Sequence, residues 1–256
     1  MDADFHASAD RIRIVLVGTQ HPGNIGAAAR AMKTMGLGRL VLVAPERFPH
    51  TDALAMAAGA DDVLTAATQC DSLAEAVADC RLVLGCTARS RRVALDQLEP
   101  RVAAARLRDV ATEAQVALVF GRERTGLSND ELQLCHAAVH IRANPEYSSL
   151  NLAAAVQVLS YELHLALLED AGDSEDRRRN EPSASHAQLE GFFAQLADTL
   201  DEIDFHKGRA PESALRKLRR VFMRSDLDEH EVRLLRGVLA DAQRMARIAS
   251  DKGGLT

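Results

Sequence analysis

The chain has 256 residues, a hydrophobic fraction of 47% and a formal net charge of −6 at pH 7. This length suits one ordinary domain with a smaller addition, and the acidic balance excludes a uniformly basic nucleic-acid binder, so a polyanionic partner would need a local basic patch. No apolar run approaches the roughly 20 residues of a membrane span, and residues 1–10 lack a secretory signal pattern, so we expect a soluble, cytoplasmic protein without a membrane partner.

Short apolar runs alternate with helical segments through the first two thirds of the chain, which is the pattern of an α/β fold. The predicted strands are Ile12 to Val17, Arg39 to Val43, Leu82 to Cys86, Val116 to Phe120 and Ala138 to Ile141. The predicted helices are Ile25 to Thr34, Ala53 to Ala57, Ser72 to Ala78, Leu107 to Ala114, Asn129 to Cys135 and Leu150 to Glu169. Because each strand is a near-continuous apolar run, we expect a mostly parallel sheet with helices on both faces.

The composition changes at Glu169 to Ser185, where charged residues, serines and a proline dominate and no apolar period remains. This composition is typical of a mobile linker. Beyond it, amphipathic helices are predicted at Ala187 to Leu200, Ser213 to Arg224 and Asp228 to Ile248. The sequence therefore predicts an α/β domain at residues 1–168, a flexible linker at 169–186 and a helical extension at 187–256.

The four cysteines are scattered through apolar segments and form no Cys-x-x-Cys pair. They are Cys70, Cys80, Cys86 and Cys135. This arrangement favours buried, reduced thiols over disulfides or zinc ligands, and we predict no metal site.

Glycine-containing loops follow three of the predicted strands, and open α/β sheets bind ligands at such positions. The first loop, residues 18–30, lacks the Gly-x-Gly-x-x-Gly and Gly-Lys-Ser/Thr patterns of nucleotide-binding loops. It carries instead Asn24 at the start of a helix and Arg30 about one and a half turns later. These two residues suit a binding site, but they equally suit a helix cap and a snorkelling surface cation.

The second loop, residues 119–129, places Glu123 between Arg122 and Arg124 and brackets them with two glycines. Opposite charges this close restrain one another's geometry, so we expect Glu123 to serve its loop between the two arginines. The alternative is a solvated turn. Ser128 or Asn129 is expected to cap the next helix.

The third loop, residues 85–92, follows a strand with small residues and ends in the arginines Arg89, Arg91 and Arg92. Small residues let a ligand touch the backbone, and arginines attract phosphate. The alternative is a solvated run of charge without a ligand.

A fourth loop, residues 144–151, carries the most chemistry: Asn-Pro-Glu-Tyr-Ser-Ser-Leu-Asn leads from the last predicted strand into an alanine-rich helix. Ser148, Ser149 and Asn151 add side-chain donors and acceptors, and the free N–H groups of a helix's first turn suit an electronegative ligand atom. The alternative is a simple N-cap followed by a core helix.

Taken together, three of these segments resemble the motifs of the SPOUT methyltransferases, which transfer a methyl group from S-adenosylmethionine to the ribose 2′-hydroxyl of RNA. The first segment is Asn-x-Gly-x-x-x-Arg at Asn24, Gly26 and Arg30. The second is Phe-Gly-Arg-Glu-x-x-Gly-Leu at residues 120–127, and the third is Asn-Pro-x-x-x-Ser-Leu-Asn at residues 144–151. The resemblance runs in order and spacing from Arg11 to about Leu168.

The helical tail narrows this resemblance. Residues 217–222 and 234–239 are similar to the C-terminal extension of the bacterial tRNA (cytidine/uridine-2′-O-)methyltransferases, which act on the anticodon loop at position 32. A ribosomal RNA substrate stays open, since the motifs read cofactor and ribose rather than sequence. A nucleotide-binding or RNA-binding protein without transferase activity is the alternative from another class.

The resemblance implies a trefoil knot near the C-terminal end of the α/β domain and a homodimer formed through that region. It also implies S-adenosyl-L-methionine as the cofactor, tRNA as the partner and no metal. Backbone contacts to the cofactor are expected from residues of four loops. These residues are Cys86, Thr87, Ala88, Gly121, Ile141, Ser148, Ser149 and Leu150.

A sulfonium is already a strong methyl donor, so the protein must chiefly align it with the acceptor oxygen and help that oxygen lose a proton. The resemblance assigns activation of the hydroxyl to Arg30, acting at the cofactor of the other subunit. Because an arginine pKa above about 12 makes a literal general base awkward, we prefer that Arg30 polarises the hydroxyl or clamps a phosphate. Asn24 is expected to orient the ribose, and Ser149 and Asn151 to position it near the methyl group.

An acidic protein needs local positive charge to hold RNA. The segment Lys207 to Arg224 contains seven Lys or Arg residues against one Glu, with apolar residues on one face of its predicted helix. The alternative is a solubilising face. The expected RNA contacts are Arg89, Arg91, Arg122, Arg124, Tyr147, Lys217, Arg219 and Arg220.

Overall fold

A computed structural model describes residues 3–88, 95–169, 183–207, 211–225 and 227–253. The chain divides into two compact units, Met1–Glu175 and Asp176–Thr256. The predicted linker at 169–186 lies mostly outside the described residues, as do Arg89, Arg91 and Arg92. None of the described helices is long and apolar enough to cross a membrane.

The first unit alternates strands and helices. In chain order its elements are α1 (Ala3–Ala9), β1 (Ile12–Val17), α2 (Pro22–Thr34), β2 (Arg39–Val43), α3 (Thr51–Ala57), α4 (Asp61–Thr65), β3 (Thr68–Cys70), α5 (Leu73–Ala76), β4 (Leu82–Cys86), β5 (Gln97–Leu98), α6 (Pro100–Ala111), β6 (Val116–Phe120), α7 (Asn129–Gln133), β7 (Ala137–Val139) and α8 (Leu152–Leu168). The predicted α/β class and the helices on both faces of a parallel sheet are confirmed.

The seven strands in the described part of the chain form one parallel sheet in the order β3-β2-β1-β6-β4-β7-β5. The central strand β1 pairs with β2 through Val15 and Val41 and with β6 through Val15 and Val119. Strand β4 lies between β6 and β7, although it precedes both of them in the chain. The carboxyl ends of β6, β4 and β7 therefore stand side by side at one edge of the sheet.

The two faces of the sheet have separate cores, because successive strand residues point to opposite sides. On one face, Ile14 and Leu16 of β1 pack with the helices that include α2 and α8. On the other face, Val15 and Val17 pack with Leu73 of α5 and its neighbours. This double cover explains why the strands are apolar at nearly every position.

Helices α2 and α3 pack exceptionally close at Gly26. A Cβ added to Gly26 would lie 1.9 Å from the carbonyl oxygen of Ala53 and 2.9 Å from the backbone nitrogen of Ala57. Only glycine fits, because these neighbours are backbone atoms that cannot move aside like a side chain. The glycine of the first motif therefore fixes the position of α2, which carries Asn24 and Arg30.

The second unit contains the helices α9 (His186–Glu202), α10 (Pro211–Arg224) and α11 (Glu229–Gly253). They enclose a core that includes Phe192, Leu196, Met223 and Val232. Helix α9 begins with a capping box, in which Ser185 and Gln188 exchange hydrogen bonds with each other's backbone. The helices predicted for this region are present, and each extends to slightly different ends.

Candidate active site

A cavity opens at the carboxyl ends of β4, β6 and β7, beside the start of α8. Its lining includes every residue predicted to contact the cofactor, namely Cys86, Thr87, Ala88, Gly121, Ile141, Ser148, Ser149 and Leu150. Phe120, Leu152 and Ala155 add apolar surface. Three parts of the chain that are far apart in the sequence, residues 86–88, 120–126 and 141–155, are thus brought to one place by the strand order.

Hydrogen bonds between neighbouring loops hold the wall of this cavity. The backbone N–H of Thr87 donates to the carbonyl of Val139 over 2.9 Å, which extends the pairing of β4 with β7 by one residue. His140 contacts two neighbouring segments. Its backbone N–H donates to the carbonyl of Leu98, and its ring Nδ1 lies 3.1 Å from the carbonyl oxygen of Thr87. These contacts fix the backbone that a ligand would meet at Thr87.

The loop after β6 folds back tightly on itself. A Cβ at Gly121 would lie 2.2 Å from the carbonyl carbon of Gly126 and 2.2 Å from the nitrogen of Leu127. The N–H of Gly126 donates to the carbonyl of Arg122 over 2.8 Å, which closes the turn. The glycines of the second motif therefore allow a compact turn that carries Glu123 toward α2.

Glu123 joins this turn to the start of α2. Its carboxylate accepts hydrogen bonds from the backbone N–H of Gln20 at 3.0 Å, from that of His21 at 3.1 Å and from the Asn24 side-chain amide at 2.9 Å. The expectation that Glu123 serves its own loop by pairing with the neighbouring arginines is wrong. The loop after β1 presents several N–H donors, and these occupy the carboxylate instead.

The environment of Glu123 favours its charged form. Partial burial raises the pKa of Glu123, but the hydrogen bonds donated by Asn24, Gln20 and His21 outweigh this and leave the pKa below its ordinary value. Glu123 is therefore an ionised acceptor at neutral pH.

A second hydrogen bond connects the first motif to the third. The Asn151 amide donates to the side-chain oxygen of Asn24 over 3.1 Å. The side-chain oxygen of Asn151 accepts from the backbone N–H groups of Ala153 and Ala154, so Asn151 is also the N-cap of α8. Glu123, Asn24 and Asn151 thus form a continuous polar chain across all three motifs. Each amide has two N–H donors and uses one of them here.

The other two residues predicted to act in catalysis are placed differently. Ser149 lines the cavity and is exposed. Arg30 is exposed on α2, and among the described residues no hydrogen bond or ion pair holds its guanidinium group. The roles of Asn24, Arg30, Ser149 and Asn151 stay predictions, although the structure links Asn24 directly to Asn151.

Comparisons with known proteins match both units. The SpoU rRNA Methylase family model matches residues 11–161, and the model of the TrmJ tRNA methyltransferase C-terminal domain matches residues 187–251. The chain belongs to the SpoU methylase family. The resemblance to the SPOUT methyltransferases is thereby confirmed.

Curated relatives within this family span almost the whole chain. The tRNA (cytidine/uridine/adenosine-2′-O-)-methyltransferase TrmJ of Pseudomonas aeruginosa is 48% identical over 251 residues, covering 95% of this chain and 98% of that protein. The tRNA (cytidine/uridine-2′-O-)-methyltransferase TrmJ of Salmonella typhimurium is 49% identical over 234 residues, covering 91% and 96%. The crystal structure of TrmJ from Z. mobilis matches with a TM-score of 0.78 and 36% identity, covering 90% of this chain and 97% of that chain.

The residues expected to contact RNA in this SpoU methylase domain fall into three groups. Arg124 lines the cavity and is exposed. Tyr147 is also exposed, and it immediately precedes the cavity residue Ser148 in the sequence. Arg122 instead forms an ion pair with Glu131 at 2.9 and 3.1 Å, which ties the second motif to α7. Arg89 and Arg91 lie outside the described residues.

Sequence reasoning missed Glu131, although a signal for it exists. Glu131 completes a capping box with Ser128 at the start of α7, and Ser-x-x-Glu is the usual sequence signature of that cap. The same carboxylate then receives Arg122. Gln20 and His21 were also missed, because they act through backbone N–H groups that any residue type could supply.

The basic residues of α10 are not equivalent. Lys217 and Arg220 are exposed. Arg219 forms an ion pair with Glu190 of α9, and its guanidinium carbon lies 4.5 Å from the centre of the Phe193 ring. Arg219 therefore helps α10 pack on α9, which a sequence pattern of basic residues cannot reveal.

The thiol beside the cavity is not activated. Burial raises the pKa of Cys86 to about 12, so its sulfur is protonated at neutral pH and is a poor nucleophile. Within the described ranges, no cluster of three or more His, Cys, Asp or Glu residues is arranged to hold a metal ion.

Proposed function

We propose that this protein is an S-adenosylmethionine-dependent tRNA 2′-O-methyltransferase that acts on cytidine or uridine at position 32 of the anticodon loop. The observation that carries the proposal is the similarity to tRNA methyltransferases over both units, at 48–49% identity, rather than over the methylase domain alone. Since tRNA is the proposed substrate, we also propose that the protein acts in the cytoplasm.

The lining of the cavity fits the proposed cofactor. Its walls combine apolar side chains, such as Ile141 and Leu152, with hydroxyl groups and backbone polar groups at Thr87 and Ser148. An adenosine needs this combination of flat apolar contact and a few hydrogen-bonding groups. When bound, the cofactor supplies an electrophilic methyl group on a sulfonium.

The polar chain of Glu123, Asn24 and Asn151 is proposed to hold the acceptor ribose. Glu123 fixes the amide of Asn24, and Asn24 in turn fixes that of Asn151. The remaining N–H donor of each amide is then available to a ribose oxygen. Because both amides are already oriented, little ordering is left for the substrate to bring about.

Arg30 is proposed to polarise the 2′-hydroxyl or clamp the adjacent phosphate at the cofactor site of a partner subunit. Its exposure and its lack of partners within the described part of the chain agree with a role toward another molecule. This assignment requires a homodimer, which we propose together with the trefoil knot implied by the family.

Replacing Arg30 tests this role. Arg30→Ala is expected to reduce methylation about 10²-fold or more, because a cation would be lost where negative charge develops. Its unfolding midpoint and its affinity for S-adenosylhomocysteine should match those of the wild type, since the side chain is exposed. Near-normal methylation with unchanged tRNA affinity would show that Arg30 has another role.

The second unit is proposed to bind tRNA through α10, with Lys217 and Arg220 as phosphate contacts. Both are exposed on an amphipathic helix whose apolar face is covered by the core of its own unit. Arg219 contacts Glu190 and the Phe193 ring, so we propose that it stabilises the packing of α10 on α9. Its contact with RNA stays a prediction.

Two measurements test the overall function. Calorimetry with S-adenosylhomocysteine is expected to give one binding event per cavity, and its absence would favour an RNA-binding protein without transferase activity. Mass spectrometry should then show that tRNA from a deletion strain lacks one 2′-O-methyl group in the anticodon loop. Loss of a mark in ribosomal RNA instead would favour the substrate named in the family description.

A further inference from the structure

Tyr147 is the most exposed of the large apolar and aromatic side chains in the described ranges. It exposes 81% of its surface, and the next value is 63% for Leu234. An exposed tyrosine offers a large apolar ring together with a polar hydroxyl, a combination that suits contact with another molecule. A molecule that binds this ring would lie beside the third motif.

The position of Tyr147 is fixed by its own loop. Its backbone N–H donates to the carbonyl of Asn144 over 2.9 Å, and the N–H of Glu146 donates to the Asn144 side chain over 3.0 Å. These two bonds make Asn144 to Tyr147 a compact turn with Pro145 inside it. The ring is thus presented on an ordered backbone rather than on a loose tip.

Tyr147 borders the cavity without lining it. Among the described residues of this loop, Ser148, Ser149 and Leu150 line the cavity. Tyr147 therefore immediately precedes the proposed cofactor wall in the sequence. Its neighbours Asn144 and Glu146 are exposed polar residues, so the ring is not part of a wide apolar patch such as a protein interface would need.

We propose that Tyr147 stacks on the base of the nucleotide whose ribose is methylated. This inference rests on the proposed function, in which cytidine and uridine are both accepted. The two bases differ at C4, where one has an amino group and the other a carbonyl, but they share a flat π face. A stacking contact holds either base, whereas a hydrogen bond to the C4 group would favour one of them.

The stacking is tested by changing both the tyrosine and the base that it is proposed to contact. The full-length protein is assayed on tRNA with uridine or dihydrouridine at the target position. Dihydrouridine keeps the ribose and the edge groups, but its saturated ring is not flat. The wild type is expected to prefer uridine in kcat/KM, and Tyr147→Ala is expected to lose roughly 5- to 150-fold on uridine and to erase the preference.

Comparing Tyr147→Phe with Tyr147→Ala distinguishes the contribution of the ring from that of its hydroxyl group. Tyr147→Phe keeps the ring and is expected to retain most activity and the preference for uridine. The proposal is overturned if Tyr147→Phe is as damaging as Tyr147→Ala, if the preference survives in Tyr147→Ala, or if the wild type has none. It is also overturned if Tyr147→Ala changes the oligomeric state in sedimentation, since the ring would then be a subunit contact.

The failure of this inference differs from failure of the proposed function. A wild type that binds no S-adenosylhomocysteine, or methylates neither tRNA, contradicts the function itself. A wild type that methylates tRNA, together with any of the overturning results named for the variants, contradicts the stacking alone. Affinity for S-adenosylhomocysteine should be the same in the wild type and both variants, because Tyr147 does not line the cavity.

Discussion

Glu123 accepts three hydrogen bonds from residues 20–24, where the loop after β1 leads into α2. A charged carboxylate suits three donors because both of its oxygens can only accept. In Glu123→Gln one acceptor oxygen becomes an N–H donor, which then faces another donor. We expect kcat/KM to fall about 10²-fold, because Asn24 would be displaced from its position beside Asn151. Steady-state methylation assays measure this loss, and calorimetry should find a smaller effect on S-adenosylhomocysteine.

Glu123→Gln is also expected to change how the stability of the protein depends on pH. Because the pKa of folded Glu123 lies below its ordinary value near 4.5, its contribution to stability is fully present above that value. The contribution is lost as the pH falls through the lowered pKa. The difference in unfolding free energy between wild type and Glu123→Gln should thus stay constant from pH 7 to about 5 and shrink below that.

Glu113 offers a matched control. It is an exposed carboxylate just after α6, and the structure gives its side chain no partner among the described residues. Glu113→Gln should leave both activity and the pH dependence of urea unfolding unchanged. Equal effects of the two variants would contradict the role given to Glu123. So would a difference in unfolding free energy between wild type and Glu123→Gln that grows toward low pH.

Sequence reasoning identified Asn24 and Asn151 by their spacing but could not foresee their bond. The two residues are 127 positions apart, and only the strand order brings α2 beside the start of α8. The arginines, too, were predicted as RNA contacts from their positions alone. Arg122 and Arg219 each have a carboxylate partner in a different element, and such pairings depend on packing that no local pattern encodes.

At the scale of elements, the contact between α2 and α3 depends on the missing side chain of Gly26. Gly26→Ala is expected to destabilise the protein by about 1–3 kcal/mol or more, because its Cβ would overlap the Ala53 carbonyl. Since α2 carries Asn24, activity should fall as well. Urea unfolding followed by circular dichroism measures the first effect.

Gly23→Ala in the same helix provides the control. Its Cβ would meet only the Cγ atom of Met56, at 3.4 Å, and that flexible side chain can move. Alanine is the better helix former by about 1 kcal/mol, so Gly23→Ala should be neutral or slightly stabilising. If both variants behaved alike, the close packing at Gly26 would not be the cause.

The strands were easier to predict than the helices. Four of the predicted strands have the observed ends, because buried parallel strands are uninterrupted apolar runs. Strands β3 and β5 were missed since they are short and largely polar, and their pairing partners define them. Helix α6 begins at Pro100 rather than Leu107, because proline suits the first turn, where its missing N–H costs nothing.

For the whole molecule, the separate cores of the two units suggest a division of labour. The described residues that line the cavity all belong to the first unit. Deleting the chain after Ser185 is therefore expected to leave binding of S-adenosylhomocysteine near the wild-type value. Affinity for tRNA should weaken on the order of 10²-fold, with a smaller salt dependence, because the cations of α10 are removed.

Filter binding at several salt concentrations and calorimetry measure the two affinities. A thermal unfolding scan of the shortened chain controls for loss of structure. If both affinities fell equally in a folded protein, the tail would support the methylase domain rather than the RNA. The boundaries at residues 168 and 186 stay predictions until such shortened chains are compared.

The polar chain through Glu123, Asn24 and Asn151 has a consequence for biosynthesis. Its last member lies at the start of α8, and the final residue in the cavity lining is Ala155. During translation, a nascent chain that ends before residue 144 has β1, β4 and β6 but lacks Ser148 to Leu150, Leu152 and Ala155 of the pocket lining. A ligand that contacts the whole lining therefore stabilises only chains synthesised at least as far as Ala155.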